Sequence, residues 1–188
     1  MRMNFSVRKL CMLGVLAALS VVLALFVRFP IFAAAPYLEF DAGDVAMITG
    51  TFLYGPLAGV VLTFVASAIQ ALTVSASSQI WGFLMHFIST SLFCLVAGTV
   101  YRRRAHVVHS AIGLALGVVV ATVTMIPLNL LITPLYSGMP MSAVASMLVP
   151  IIIPFNLIKF TINAVFSFLL WRSIRLIMKK VWGERDVA

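Results

Sequence analysis

The chain has 188 residues, 63% hydrophobic and only 10% charged, with a mean hydropathy of +1.14, which excludes a water-soluble domain and predicts one polytopic, all-α membrane domain over 1–188. The net charge of +8 does not point to nucleic acid, because the bases flank apolar runs in the topogenic pattern of membrane helices. The two cysteines, Cys11 and Cys94, both lie in apolar stretches, which argues against a disulfide framework or a metal site.

The first helix is expected over 9–27. Arg8 and Lys9 followed by an apolar run, with Ala33-Ala34-Ala35 beyond it, imitate a secretory signal. The 18-residue length of the apolar run Leu10–Val27 and the proline at Pro36 fit an uncleaved membrane helix better. Gly14, Ala17 and Ala18 give this helix a small-residue face, Gly14 and Ala18 being four apart. Such a face suits close packing, either internal or against a partner subunit. The segment 28–44 carries Pro30 and Pro36 and three of the chain's five acids, Glu39, Asp41 and Asp44. Alternation of Leu38 and Phe40 with Glu39 and Asp41 predicts an extended piece, read as a lid, and Asp44 is expected to cap the next helix.

Helix 2, over 45–54, is short: ten residues reach about 15 Å, roughly half a bilayer core. Gly55-Pro56 forces a turn into helix 3 over 57–72. A polar loop over 73–79 leads to helix 4, over 80–101, which carries Met85 and His86 and ends in three arginines from Arg102. Helix 5, over 108–132, has a Gly113/Gly117 packing pair, then Pro127 and Asn129, and is expected to stop before Pro134. Residues 135–147 read as a connection. The last helix, over 150–180, has Pro150 and Pro154 in its first turns and a basic, amphipathic end.

That last helix holds the most informative residue. Lys159 is the only charge in the run from Met147 to Trp171, and an ammonium in hydrocarbon must face a protein cavity or water, or snorkel to the surface. Asn156 lies one turn before it and Asn163 one turn after, on the same helix face. The basic clusters before helix 1, after helix 4 and at the end of the last helix share one side only if the chain crosses six times, with helices 2 and 3 separate. The positive-inside rule makes that side cytoplasmic, with both termini on it. The acidic segment, Asn129, Asn156 and Lys159 then converge on the outer half as an outward-facing pocket. No phosphate-binding glycine loop, zinc-protease motif or nucleophile elbow occurs. An intramembrane enzyme using His86 with Ser89 or Ser91 would lack an orienting acid. The pattern is a binder without an engine, and no cofactor or metal is expected.

The stretches Pro36-Tyr37-Leu38-Glu39-Phe40-Asp41-Ala42-Gly43-Asp44-Val45, Leu53-Tyr54-Gly55-Pro56-Leu57-Ala58-Gly59, Pro127-Leu128-Asn129 with Pro134, and Pro154-Phe155-Asn156-Leu157-Ile158-Lys159 occur in this order. Together they resemble the substrate-binding S components of energy-coupling factor (ECF) vitamin transporters, the riboflavin-binding member in particular. The resemblance implies capture of riboflavin from outside a prokaryotic cell membrane and docking, through Gly14, Ala17 and Ala18, with a transmembrane coupling subunit that carries two ATPase subunits. It implies that Asn129, Asn156 and Lys159 contact the vitamin beneath a lid carrying Glu39 and Asp41. Tyr37, Leu38, Phe40 and Met85 would cover the rings, with His86 and Asn163 contributing beside them. The chain departs from the usual pattern at Ala42-Gly43 and at His86, where asparagine is common. Another vitamin (thiamine or a flavin nucleotide) and a membrane assembly protein are the competing expectations.

Overall fold

The computed structural model describes residues 7–73, 79–103 and 106–182. Arg2, Arg104 and most of the expected polar loop after Thr73 lie outside the described residues. Helix α1 (Val7–Phe26) leads into strand β1 (Arg28–Pro30), which pairs with β2 (Glu39–Asp41). Then come α2 (Asp44–Tyr54), α3 (Pro56–Thr73), α4 (Gln79–Arg103) and α5 (Val107–Ser137). A short α6 (Met141–Met147) passes through a π-helical turn (Leu148–Ile152) into α7 (Ile153–Trp182). Among the described residues, five segments are long and apolar enough to cross a membrane: α1, α3, α4, α5 and the α6–α7 run.

Helix α2 has 11 residues and spans about 16 Å at ~1.5 Å per residue, too little to cross a bilayer core unaided. It is apolar nearly all round, and all of it from Asp44 to Phe52 is buried, as expected of a helix with no solvated face. Helices α1, α3, α4 and α7 wrap it. It stops where expected: Gly55 has φ +96, which favours glycine, and its N–H returns to the Thr51 carbonyl at 2.8 Å. Pro56 then opens α3, where its missing N–H costs nothing. Lys9 donates to the Tyr54 carbonyl at 3.5 Å, and Arg102 lies against Gly55, so two of the basic clusters flank this turn at one end of the bundle. Close packing of α4 on α5 uses the expected glycines. A Cβ on Gly113 would come within 2.7 Å of the Ala97 carbonyl, and one on Gly117 within 3.0 Å of the Phe93 ring.

Three local expectations are corrected. Helix α5 does not stop at 132 but runs through Pro127 and Pro134 to Ser137. Membrane helices accommodate prolines when nearby groups resatisfy the backbone; here the helix ends at Gly138, in the left-handed conformation. Residues 135–147 are not a plain connection, because α6 starts after Pro140 and continues into α7. Pro150 falls inside the π turn, where the wider spacing relieves the clash of its ring with the preceding carbonyls. Asp44 is not the cap of α2; Gly43 holds that position, with no side-chain cap. The Asp44 carboxylate points into the bundle.

The acidic segment is extended as expected. Strands β1 and β2 are antiparallel, with Arg28 opposite Asp41, Phe29 opposite Phe40 and Pro30 opposite Glu39. This hairpin covers the end of the bundle opposite the Gly55 turn.

Candidate functional site

Beneath the hairpin lies a cavity of about 140 Å³. Its wall takes Asn156 and Lys159 from α7, Asn129 from α5, Met85 and His86 from α4, Gln70 from α3, and Tyr37, Leu38, Glu39 and Asp41 from the hairpin segment. Nine of the expected site residues are thus brought together from elements distant in sequence.

Lys159 does not reach for lipid headgroups. Its Nζ donates to Asp41 Oδ2 at 2.6 Å, and the two side chains are 12% and 14% exposed. The other Asp41 oxygen accepts from the Gly43 N–H at 3.1 Å. The amides are oriented by their own helices. Asn156 Nδ2 donates to the Ile152 carbonyl and Asn129 Nδ2 to the Met125 carbonyl, each at 2.8 Å, while Asn129 Oδ1 accepts from Thr133. A side-chain amide has two N–H groups and an oxygen able to accept twice, so each retains capacity towards the cavity. The ammonium and the amides thus share the cavity lining with the apolar Leu38, Met85, Phe155 and Phe160. That combination suits a flat ligand with carbonyl and N–H groups along its rim.

Each acid of the hairpin region has a basic partner. Glu39 pairs with Arg28, whose Nε donates at 2.6 Å; Asp41 pairs with Lys159; Asp44 pairs with His86, Nε2 lying 2.7 Å from Oδ1. Asp44 is fully buried and also accepts from Thr90 Oγ1 at 3.0 Å and Asn163 Nδ2 at 3.3 Å. A carboxylate only accepts, so His86 Nε2 carries a proton. Burial raises the pKa of the Tyr37 phenol above its ordinary value, which keeps it neutral; its hydroxyl lies 3.9 Å from Met147 Sδ.

Two expected residues are not on the wall. Phe40 is 3% exposed and packs with Ala42 and Val45 and against the Phe29 ring. Successive strand residues face opposite sides, so Glu39 and Asp41 take the cavity side. Asn163 lies deeper and braces the site, donating to the Asp41 carbonyl at 3.0 Å and to Asp44. On α1, Gly14 and Ala18 are exposed beside Val15 and Leu25, whereas Ala17 is buried against α2 and α3 with Leu13 and Leu16. Ala17 therefore leaves the outward strip: it is three residues past Gly14, but its side chain falls on the edge of the helix that meets α2 and α3. Reasoning from sequence missed Arg28 and Gln70. Gln70 was findable as the one amide within the apolar run of helix 3.

The sequence profile of the family described as "ECF transporter, substrate-specific component" matches residues 8–171. The chain belongs to this family. It is therefore a multi-pass membrane protein that serves as a substrate-binding component of a transporter, not an enzyme. Ser89 Oγ donates to the Met85 and His86 carbonyls rather than to the His86 ring. This S component is 31% identical to the riboflavin transporter FmnP of Bacillus subtilis (strain 168), over 96% of both chains. It is 29% identical to the riboflavin transporter RibU of Staphylococcus aureus (strain TCH60), over 93% of this chain and 94% of the relative. The solved structure of the S component of a bacterial ECF transporter superposes with a TM-score of 0.79 at 29% identity, covering 92% of this chain and 98% of that one.

Proposed function

We propose that this S component captures riboflavin from outside a prokaryotic cell and delivers it to an ECF module of a transmembrane coupling subunit and two ATPases. One observation carries the reading: Lys159, Asn156 and Asn129 line one cavity together with Leu38 and Met85, in a chain similar along almost its whole length to two riboflavin transporters. The isoalloxazine rim supplies carbonyls and ring nitrogens for these amides and the ammonium, and the ribityl hydroxyls suit His86 and Glu39. Tyr37, Leu38 and Met85 cover the ring faces. The single domain crosses the membrane six times, α2 being the short crossing, with both termini in the cytoplasm; the basic residues around the Gly55 turn support this orientation.

The hairpin acts as the lid. The cavity beneath it, about 140 Å³, is smaller than the ~300–1,000 Å³ of ordinary small-molecule sites. A three-ring ligand therefore enters by displacing the hairpin. Titration of the purified protein with riboflavin should quench its tryptophan fluorescence saturably, and thiamine should not. Quenching by thiamine alone would transfer the reading to that vitamin.

Gly14 and Ala18 form the docking strip for the coupling subunit. Ala18→Trp should reduce uptake in cells by about tenfold or more, the loss expected when a close helix contact is wedged open, while riboflavin binding by the isolated protein stays within about twofold. Equal loss of binding would assign α1 an internal packing role only.

A further inference from the structure

Gln70 is a polar side chain in an otherwise apolar part of α3, only 5% exposed, and its position is odd for a group that merely lines a cavity. Its Nε2 donates to Ser20 Oγ on α1 at 3.2 Å, and Ser20 is fully buried. The same nitrogen bounds the seat of Gly43, the residue between β2 and α2. A Cβ there would meet Gln70 Nε2 at 2.7 Å, the Ser20 carbonyl at 3.0 Å and Asp41 Oδ1 at 3.1 Å. Only a glycine lets the chain pass this close. The Gly43 N–H holds Asp41, and Asp41 holds Lys159. A short relay thus runs from α1 through the Gln70 amide and the Gly43 hinge to the ammonium on the cavity wall. Helix α1 is also joined to the hairpin directly: β1 begins two residues after α1 ends, and the Ala42 N–H donates to the Val27 carbonyl at 3.3 Å.

We propose that Gln70 is a positioning residue, the latch that fastens α1 and the Gly43 hinge to α3 and so keeps the hairpin closed with Asp41 on Lys159. Ser20 lies two residues from Ala18, roughly 200° round the helix, so the latch grips the side of α1 opposite the docking strip. Drawing α1 away from α3 separates Ser20 from Gln70, frees the hinge and opens the hairpin. The latch itself follows from these contacts alone; its link to vitamin release rests on the proposed function.

Ala35 is fully buried in the connection between the two strands and reports hairpin opening when replaced by cysteine. In a Cys11→Ser, Ala35→Cys background, maleimide labelling of the ligand-free full chain in nanodiscs should be accelerated about threefold to tenfold by Ser20→Ala, which deletes one oxygen, and by Gln70→Ala, as expected for one lost buried hydrogen bond. The double variant should label no faster than the faster single one. Buried Cys94 should stay unlabelled in all of them, which a general loosening of the bundle would not allow. Riboflavin dissociation should accelerate by the same factor. Unchanged labelling in Ser20→Ala, strictly multiplicative effects in the double variant, or labelling of Cys94 would each overturn the latch. A wild-type protein that fails to bind riboflavin would overturn the proposed function instead, and the labelling result would still judge the latch.

Discussion

Lys159→Ala is expected to weaken riboflavin binding by at least about 30-fold, the low end for truncating one partner of a desolvated, hydrogen-bonded charge pair. Two effects add. The ammonium lies beside the two amides in the cavity lining, so the vitamin loses a charged hydrogen bond. The variant also strips the Asp41 carboxylate of its ammonium partner and leaves the Gly43 N–H on its other oxygen, on a hairpin whose closed position the 2.6 Å pair maintains. The two can be separated. Lys159→Met combined with Asp41→Asn removes both charges while preserving volume, and such neutral replacements often restore stability. Thermal stability in detergent should therefore return most of the way to wild type in the double variant, and affinity, read by tryptophan quenching, should not. Wild-type affinity in Lys159→Ala would show that the ammonium only holds the hairpin.

The second large effect is on stability. Asp44→Ala should destabilise the protein by about 3–5 kcal/mol, because it removes a fully buried acceptor and strands three donors at once, each costing about 1–3 kcal/mol. His86, Thr90 and Asn163 converge on this carboxylate from α4 and α7, so the loss removes these ties of α2 to both helices. Asp44→Asn keeps the shape and one acceptor oxygen, and the His86 ring can present its unprotonated nitrogen to the new amide. It should cost about 1–2 kcal/mol. Melting of the purified protein, followed by light scattering or by labelling of Cys94, separates the two variants. A melting temperature for Asp44→Ala equal to that of the wild type would mean that the network contributes nothing to stability.

These two residues also mark the boundary of what could be read in advance. Lys159 announces itself, since a lone charge in the largely apolar, 25-residue run from Met147 to Trp171 has few physically permissible surroundings. Asp44 does not: its sequence context, just before a helix, is equally that of an exposed cap, and only the fold turns it inward to His86. Ala17 and Ala18 are indistinguishable as small residues until the neighbours of α1 are known. Phe40 resembles Leu38 in the alternating pattern, yet β2 points it away from the cavity while Leu38, just before the strand, lies on the wall. Pro127 and Pro134 carry the usual stop signal of aqueous helices, which packing within the bundle overrides.

Membrane residence, the break between α2 and α3 at Gly55-Pro56, and the polar groups that must find a cavity were all legible from composition, hydropathy and backbone stereochemistry, because each arises within one or two helical turns. The partner of every charged group was not. Asp41 meets Lys159 across 118 positions, Asp44 meets His86 across 42, and Ser20 meets Gln70 across 50. No local pattern encodes contacts at those separations; they exist only once the helices are packed, and packing decides them because a buried charge or amide must take whichever complementary group the bundle brings within reach.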